Sequence, residues 1–424
     1  MPYPRLLRRV PRAGFVVCAL AVVCLPRTVC AQNSTDSDVE ALRREIATLR
    51  QEYEQRLASL EQRLADLAAV QEMAAAVPPP SPVPATAPAT AAPASNQRSN
   101  YFNPAISLVG NFLAVGGQGR DGDLPNAELR ESEVGFQAVV DPYARADVYL
   151  AFGEEGVEVE EGYVTLTALP WQLLAKVGRM RTQFGKTNTL HLHTLPWADQ
   201  PLPVTNLLGE EGWISSGVSL GRLIPLGNTF SELTVEVLRA DAEGLFESES
   251  SSDVAWNGRY RLFRDLSDAT NLEVGLSYGF GPNGSEEGGG SEEGAETRLS
   301  GLDFTWRWKP LQQGLYRGAM VRGEVFRSER EQPGGRQDAL GWYLAADYQL
   351  ARRWWLGGRY EWSERATEAD LRDTGEALLL TFDPSEYLRL RGELRHRDLA
   401  EGRSITDFLL QLQFSIGAHG AHPF

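Results

Sequence analysis

Apolar and polar residues alternate along the last strand-like stretch of the chain, Ser404–Gly417. One set of alternate positions is apolar: Phe408, Leu410, Leu412, Phe414 and Ile416. The intervening set is mostly polar: Leu409, Gln411, Gln413 and Ser415. Successive side chains of a β-strand point to opposite faces, so the pattern predicts a strand with one apolar and one polar face.

About sixteen stretches of this kind follow one another in residues 101–424, each long enough to cross a bilayer as a tilted strand. They begin near Pro104, Ser132, Tyr143, Val157, Gln172, Gly212, Phe230, Val254, Asn271, Thr297, Leu315, Ala339, Arg353, Gly375, Glu386 and Ser404. The pattern predicts an all-β fold, an antiparallel transmembrane β-barrel of about sixteen strands whose apolar face contacts lipid. A soluble β-sandwich is the alternative, and it would bury the same apolar faces between two sheets.

The connections between these stretches are mostly short and long in turn. The long ones are Gly116–Glu131, Phe184–Glu211, Ala240–Asp253, Gly281–Glu296, Glu329–Gln337, Ser363–Thr374 and Asp398–Arg403. Outer-membrane barrels have short turns at the periplasmic end and longer loops at the outer end. The alternation therefore favours the barrel, and it predicts that the protein lies in the bacterial outer membrane.

Three further segments precede the predicted barrel. Residues 1–31 have the pattern of a secretory signal peptide: arginines, an apolar run (Ala13–Leu25) and the cleavage site Val29-Cys30-Ala31. In residues 32–76, apolar residues recur at steps of three and four, which predicts a periplasmic coiled coil. Residues 77–100 are rich in proline and alanine, which is typical of an extended linker. We expect the coiled coil to join a homotrimer; a single helix packed on a domain is the alternative.

Charge and cysteine content narrow the class of protein. The chain has 57 acidic and 41 basic residues, which argues against a nucleic-acid partner. Its three cysteines, Cys18, Cys24 and Cys30, all lie in the predicted signal peptide, so we expect no disulfide in the mature chain. The sequence has no nucleophile motif, phosphate loop or dinucleotide fingerprint, so we expect that the protein is not an enzyme.

Arginine recurs on the predicted polar faces. The candidate pore-lining residues are Arg145, Arg259, Arg261, Arg307, Arg322, Arg359, Arg389, Arg391 and Arg395. Rings of arginine in a pore favour anions. In the alternative interpretation, the arginines pair across strands with acids of the same faces: Glu324, Glu361, Glu393, Asp303 and Asp147.

The connection between the fifth and sixth strands has more apolar residues and prolines than a solvated surface loop. We expect it to fold inward and to narrow the pore. Its candidate constriction residues are Lys186, Asn188, His191, His193 and Asp199.

This connection also carries three short motifs. They are Phe-Gly-Lys-x-Asn from Phe184, His191-x-His193, and Gly-Glu-Glu-Gly from Gly209. With them, the chain resembles the phosphate-selective porin O/P-like superfamily of outer-membrane β-barrels. The resemblance is to members that have an N-terminal coiled coil, some of which are labelled zinc-regulated outer-membrane receptors. It implies an outer-membrane channel and a link to zinc.

Four of the five histidines fall in two groups, His191 with His193 and His419 with His422. Imidazoles at such spacings can share a metal ion, so these four residues are the candidate zinc ligands. We expect no other cofactor.

Together these features predict a porin-like channel for passive diffusion of small polar solutes, with anions as the candidate preferred solutes. Two other functions fit the same sequence. One is a structural outer-membrane tether that uses the coiled coil, and the other is a zinc-linked outer-membrane uptake protein.

Overall fold

The structure is a computed structural model. It describes residues 104–118, 126–153, 156–242, 244–247, 253–283, 295–332, 335–400 and 402–417. The predicted signal peptide, coiled coil and linker lie outside the described residues, and so do His419 and His422.

Within the described residues, sixteen strands form one closed antiparallel barrel. They are β1 (Ala105–Gln118), β2 (Ala127–Asp141), β3 (Ala144–Gly153), β4 (Gly156–Leu166), β5 (Leu173–Arg181), β6 (Ile214–Leu223), β7 (Thr229–Arg239), β8 (Val254–Ser267), β9 (Thr270–Pro282), β10 (Glu296–Trp308), β11 (Ala319–Gln332), β12 (Gly335–Ala351), β13 (Trp354–Glu364), β14 (Arg372–Ser385), β15 (Leu388–Asp398) and β16 (Ser404–Gly417). The first and last strands close the cylinder, with Ser107 opposite Gly417 and Gln118 opposite Thr406. The predicted barrel is confirmed, and the sandwich is excluded.

The barrel is apolar outside and polar inside. On β16, Phe408 and Leu410 are 50% and 47% exposed on the outer surface, whereas Asp407 and Gln411, which flank this pair in sequence, are buried inside. A sheet in water would bury the first pair and expose the second. The outer surface is therefore suited to lipid, as in membrane barrels.

Short turns lie at one end of the barrel, the turn end, and longer connections lie at the other, the long-loop end. The predicted long connection Glu329–Gln337 is wrong, because β11 continues to Gln332 and β12 begins at Gly335. This segment is polar on both faces, so it shows no alternation in sequence, yet it continues the sheet beyond the apolar band.

Several short elements lie between the strands. Two 3-10 turns (Thr187–Thr189 and Leu192–Thr194) and helix α1 (Leu202–Leu208) lie between β5 and β6, and a third turn (Pro170–Gln172) precedes β5. Between β7 and β8, Asp241–Ala242 pairs with Phe246–Glu247 as a small hairpin. Among the described residues, no helix has the length and apolar character needed to cross a bilayer.

Candidate functional site

The connection between β5 and β6, residues 182–213, lies inside the barrel; we call it the lumenal loop. Its large side chains, such as Trp197, are buried. Inward-facing polar residues on distant parts of the wall are buried as well: Asn111, Asp303 and Glu361 are each 1% exposed. A water-filled lumen would leave these wall residues exposed, so the loop fills the middle of the barrel.

Asn188 ties the two ends of the lumenal loop together. Its amide nitrogen donates to the carbonyl oxygens of Thr182 (2.8 Å) and Trp213 (3.1 Å), and its side-chain oxygen accepts from the Trp213 amide (2.7 Å). Thr182 N also donates to Trp213 O at 3.0 Å. Asn188 therefore holds a closed neck where the chain leaves the wall and returns to it.

Glu324 of β11 holds the Phe-Gly-Lys segment of the lumenal loop. Its Oε2 accepts from the Lys186 amide (3.1 Å), and its Oε1 accepts from the Thr187 amide (2.7 Å) and the Tyr343 hydroxyl (2.8 Å). The close approach needs Gly185, whose φ is +63° and where an added Cβ would lie 2.5 Å from Glu324 Oε2. Glu324, which the sequence offered as an arginine partner, accepts hydrogen bonds from loop backbone instead.

Lys186 points toward a carboxylate that several cations share. Its Nζ lies 2.9 Å from Glu273 Oε2, and Arg307 and Arg261 also pair with Glu273, at 3.6 and 3.9 Å. Burial lowers the pKa of Lys186 to about 8; Glu273 opposes this shift, and Arg307 adds to it.

Carboxylates of the wall surround the histidines of the lumenal loop. His191 Nδ1 lies 2.6 Å from Glu133 Oε2 and 3.0 Å from Glu160 Oε2, and its Nε2 lies 2.8 Å from Glu161 Oε2. His193 Nδ1 lies 3.4 Å from the same Glu133 Oε2. Burial lowers the pKa of His191, but Glu160 and its neighbouring carboxylates outweigh burial and raise that pKa well above its ordinary value.

Two irregularities in the sheet bring these carboxylates together. Between β3 and β4, Tyr149 pairs with Glu161 and Leu150 pairs with Val159, which leaves Glu160 as the extra residue of a β-bulge. A bulge places consecutive side chains on one face, so Glu160 and Glu161 both lie inside. A similar shift between β1 and β2 leaves Arg130 as an extra residue.

The tip of the lumenal loop is fixed by Trp197 and Asp199. The Trp197 ring meets the Tyr343 ring edge-on, with centroids 5.2 Å apart, and the Arg359 guanidinium lies 5.0 Å from its centroid. Asp199 accepts from Arg359 Nη2 (2.7 Å) and Arg395 Nη1 (2.6 Å), and also from Arg397. Burial raises the pKa of Asp199, but the arginines outweigh burial and hold that pKa well below its ordinary range.

Helix α1 carries the chain back across the barrel to the neck. It packs against β12 and β13, and Asn206 donates from its side-chain amide to Asp373 Oδ2 at 2.9 Å. Leu207, Leu208 and Trp213 join an apolar cluster with Phe326 of the wall. The return segment therefore closes the part of the lumen beside β12 and β13 with apolar packing.

All the sequence-predicted arginines lie on the inner side of the wall, and most pair with carboxylates. The pairs are Arg145 with Asp147, Arg259 with Asp303, Arg261 with Glu232, Arg307 with Glu273, Arg322 with Asp347, Arg359 with Asp199 and Glu361, Arg389 with Asp383, and Arg395 with Asp199 and Asp407. Arg391 donates to Gln411 Oε1 at 2.8 Å. This is the mixed lining of the alternative interpretation, and the structure brings Arg359 and Arg395 together at Asp199.

Several site residues were missed in the sequence: Glu133, Glu160 and Glu161 around His191, and Arg397 at Asp199. The adjacent Glu160 and Glu161 interrupt the alternation of β4, which is the one sequence signal for an acidic bulge there.

A cavity of about 800 Å³ lies between the lumenal loop and the long-loop ends of β2 to β5. The charged residues of its lining are mostly acidic, among them Glu131, Glu160 and Glu211, and Arg130 and Arg181 line it as well. It leads from the long-loop end to the carboxylates beside His191.

Comparison with known proteins identifies the fold. No family model matches the chain. A protein of Aquifex aeolicus described as uncharacterized is 29% identical over 380 residues, which cover 76% of this chain and 80% of that protein.

Three solved structures share the barrel. A trimer form of OmpT from Vibrio cholerae is 11% identical with a TM-score of 0.51, covering 74% of this chain and 100% of that one. An anion-selective porin from Comamonas acidovorans is 13% identical with a TM-score of 0.52, covering 74% and 100%. OprB of Pseudomonas putida is 10% identical with a TM-score of 0.53, covering 75% and 94%. The fold is that of bacterial outer-membrane porins. The resemblance to the porin O/P-like superfamily stays a prediction.

Proposed function

We propose that the protein is a porin-like channel of the bacterial outer membrane for small polar solutes, and that the lumenal loop closes it until the loop is displaced. The observation that supports this proposal best is the interior of the barrel. A charged and polar wall encloses a loop that is attached by side-chain contacts and that blocks the middle of the lumen. Displacing the part of the loop that Asp199 anchors would leave a water-filled passage lined by polar wall residues, while Glu324 keeps the Lys186 segment on the wall.

Charge on the turn-end side of the loop supports a preference for anions. Lys186, Arg261 and Arg307 converge on Glu273, while Arg261 also pairs with Glu232. The side chains of Arg261 and Arg307 are 31% and 20% exposed, against 25% for Glu232 and 8% for the shared Glu273. The groups that meet the aqueous passage here are therefore mainly cationic, and such groups attract anions to a narrow passage.

The proposal includes the membrane contacts and the oligomeric state of the protein. The barrel contacts outer-membrane lipid through its apolar outer surface and associates as a homotrimer. The trimer form of the Vibrio cholerae OmpT, which shares the fold, supports this assembly. Cross-linking of the detergent-solubilised protein would yield a trimer band if the proposal is right.

Planar-bilayer recording of the purified full chain tests the channel. We expect infrequent openings with discrete steps, and a reversal potential in a potassium chloride gradient that is displaced toward the chloride equilibrium potential. A variant with a weakened loop anchor, Asp199→Asn, should open far more often. Silence of both proteins, when each is shown to be folded by heat-modifiable migration in detergent gels, would overturn the proposal.

A further inference from the structure

Two histidines of the lumenal loop lie beside two glutamates of the wall. We call this group the His–Glu cluster; it consists of His191, His193, Glu133 of β2 and Glu160 of β4. Ligand atoms of Glu133, His191 and His193 all lie within 4.8 Å of one another. Glu133 Oε2 faces both imidazoles, 2.6 Å from His191 Nδ1 and 3.4 Å from His193 Nδ1. Ligands of a tetrahedral zinc ion lie about 3.3 Å apart, from metal–ligand bonds of about 2.0 Å. The spacing in the cluster is therefore close to that of a metal-binding set.

The surroundings of His191 have the arrangement that metal-ligating histidines show. A ligating imidazole donates its second N–H to a carboxylate, which fixes the ring and its tautomer. His191 Nε2 lies 2.8 Å from Glu161 Oε2, so Nδ1 faces Glu133 and Glu160. Glu161 comes inward only because of the bulge in β4. The bulge thus supplies a ligand candidate and its supporting carboxylate from consecutive residues.

The charge around the His–Glu cluster favours a cation. Glu131, Glu133, Glu160 and Glu161 are all buried, and Arg181 donates to Glu160. Glu131, Glu133 and Glu160 form a second set of converging ligand atoms next to the first. Buried carboxylates are costly unless positive charge compensates them. A divalent cation would supply this compensation.

The cluster also has an entry path. The acidic cavity of about 800 Å³ has Glu131 and Glu160 in its lining, so its inner end reaches the cluster. Glu128, Glu158, Glu210 and Glu211 line the same cavity. Arg130 and Arg181 also line the cavity, so acidic residues are in excess. A concave surface with an excess of one charge raises the local concentration of counter-ions, so the cavity would draw cations toward the cluster.

We propose that Glu133, His191 and His193 bind a divalent transition-metal ion of the zinc type, with Glu160 as a further ligand, and that this ion ties the lumenal loop to the β2–β4 wall. Mixed imidazole and carboxylate ligands suit zinc better than magnesium or calcium, which prefer oxygen alone. The competing interpretation is a protonated His191 that bridges Glu133 and Glu161 without a metal. The site requires no contribution from His419 or His422.

Metal binding by the folded full chain tests this proposal without any measurement of transport. The purified protein is stripped with a chelator, titrated with zinc chloride, and assayed by calorimetry and by elemental analysis after gel filtration. We expect tight binding of a single zinc ion. We also expect zinc to slow chymotrypsin cleavage within residues 182–213, because the ion cross-links the loop to the wall.

Substitutions show whether zinc affinity comes from the proposed ligands or from other residues of the protein. His191→Ala with His193→Ala should abolish tight binding, and Glu161→Gln should weaken it by about 10- to 100-fold, as expected for a residue that supports a ligand. His396→Ala is the matched control, because this histidine lies on the exposed long-loop part of β15; it should leave binding unchanged. His193→Gln serves as a milder replacement if the double variant does not fold.

Three results would overturn the proposal. They are failure of the stripped wild-type protein to bind zinc, unchanged affinity in the folded histidine variants, and binding that disappears with His419→Ala and His422→Ala instead. The first result would favour the proton-bridged pair, and conduction by the channel could still be intact.

Discussion

The anchor at the loop tip gives the sharpest test of how the barrel is closed. Asp199 is almost fully buried and accepts hydrogen bonds from Arg359, Arg395 and Arg397, which come from two strands of the wall. Asp199→Asn keeps the shape of the side chain and removes its charge. We predict that this change detaches the loop and leaves the barrel intact, because the strand pairing does not involve the residue.

The expected magnitude follows from the contacts that remain. Removing one partner of a buried ion pair costs about 3–5 kcal/mol. In the variant, Arg359 still pairs with Glu361 and Arg395 still pairs with Asp407. The free energy that holds the loop in place should therefore fall by an amount near the lower end of this range, about 3 kcal/mol. At 1.4 kcal/mol per factor of ten, the population of detached loops should rise about 100-fold.

Chymotrypsin cleavage reports this population directly. Trp197, Phe184 and Leu190 are cleavage sites that are buried in the closed barrel. When detachment is fast relative to cleavage, the cleavage rate follows the detached fraction, so it should also rise about 100-fold. Mass spectrometry of the fragments locates the cut, and bilayer recording should show a parallel rise in the fraction of time that the channel is open.

Asp398→Asn is the matched control, since Asp398 is on β15, the strand that carries Arg395 and Arg397, but its side chain is 64% exposed. It should leave cleavage and conduction unchanged. If Asp199→Asn matches the wild type within twofold in both assays, the three arginines do not hold the loop, and the account of closure given above is wrong.

Two further predictions concern the Phe-Gly-Lys segment. Because the pKa of Lys186 is lowered to about 8, its charge is present below that pH and lost above it; the anion preference should therefore fall between about pH 7 and pH 9. Reversal potentials measured across this pH range check the prediction. Lys186→Met should remove the pH dependence, and the control Lys309→Met, at an exposed turn, should keep it. A wild-type channel whose selectivity does not change with pH would show that Lys186 is not the titrating group. Gly185→Ala should strain the loop by about 1–3 kcal/mol and raise chymotrypsin cleavage, because its Cβ would meet Glu324. Gly227→Ala has a similar φ of +59° but open space around it, so equal effects of the two changes would refute the contact with Glu324 as the cause.

The barrel could be predicted from the sequence because each strand carries its own evidence. Phe408 and Leu410 face out and Asp407 and Gln411 face in simply because neighbouring residues of a strand point to opposite faces. Predicted strand starts lie within a few residues of the observed ones for the same reason. The start of β2, predicted at Ser132 and observed at Ala127, and the connection predicted at Glu329–Gln337 differ most from the structure. Both lie where the strand extends beyond the apolar band, so alternation has no physical cause there.

The contacts of the lumenal loop could not be predicted in this way. Its apolar residues and prolines indicated that it folds inward, but its partners depend on the path of the chain across the barrel. Asp199 and Arg397 are 198 positions apart, and Thr187 and Glu324 are 137 apart. A β-bulge decides that Glu160 and Glu161 share a face, and the rule of alternate faces predicts the opposite.

The position of an inward arginine along its strand decides what it does. Arg359 and Arg395 lie where the loop crosses the lumen; both are buried and bind Asp199, so their charge holds the loop. Arg145 and Arg389 lie near the turn end and stay 48% and 33% exposed, where a solute in the lumen would meet them. The sequence predicts that all four arginines face the lumen. It does not predict where along the barrel axis the lumenal loop crosses, because that position depends on the contacts of the loop. Arginines on a polar face therefore do not by themselves indicate anion selectivity, because a loop that needs buried anchors requires the same residues on the same face.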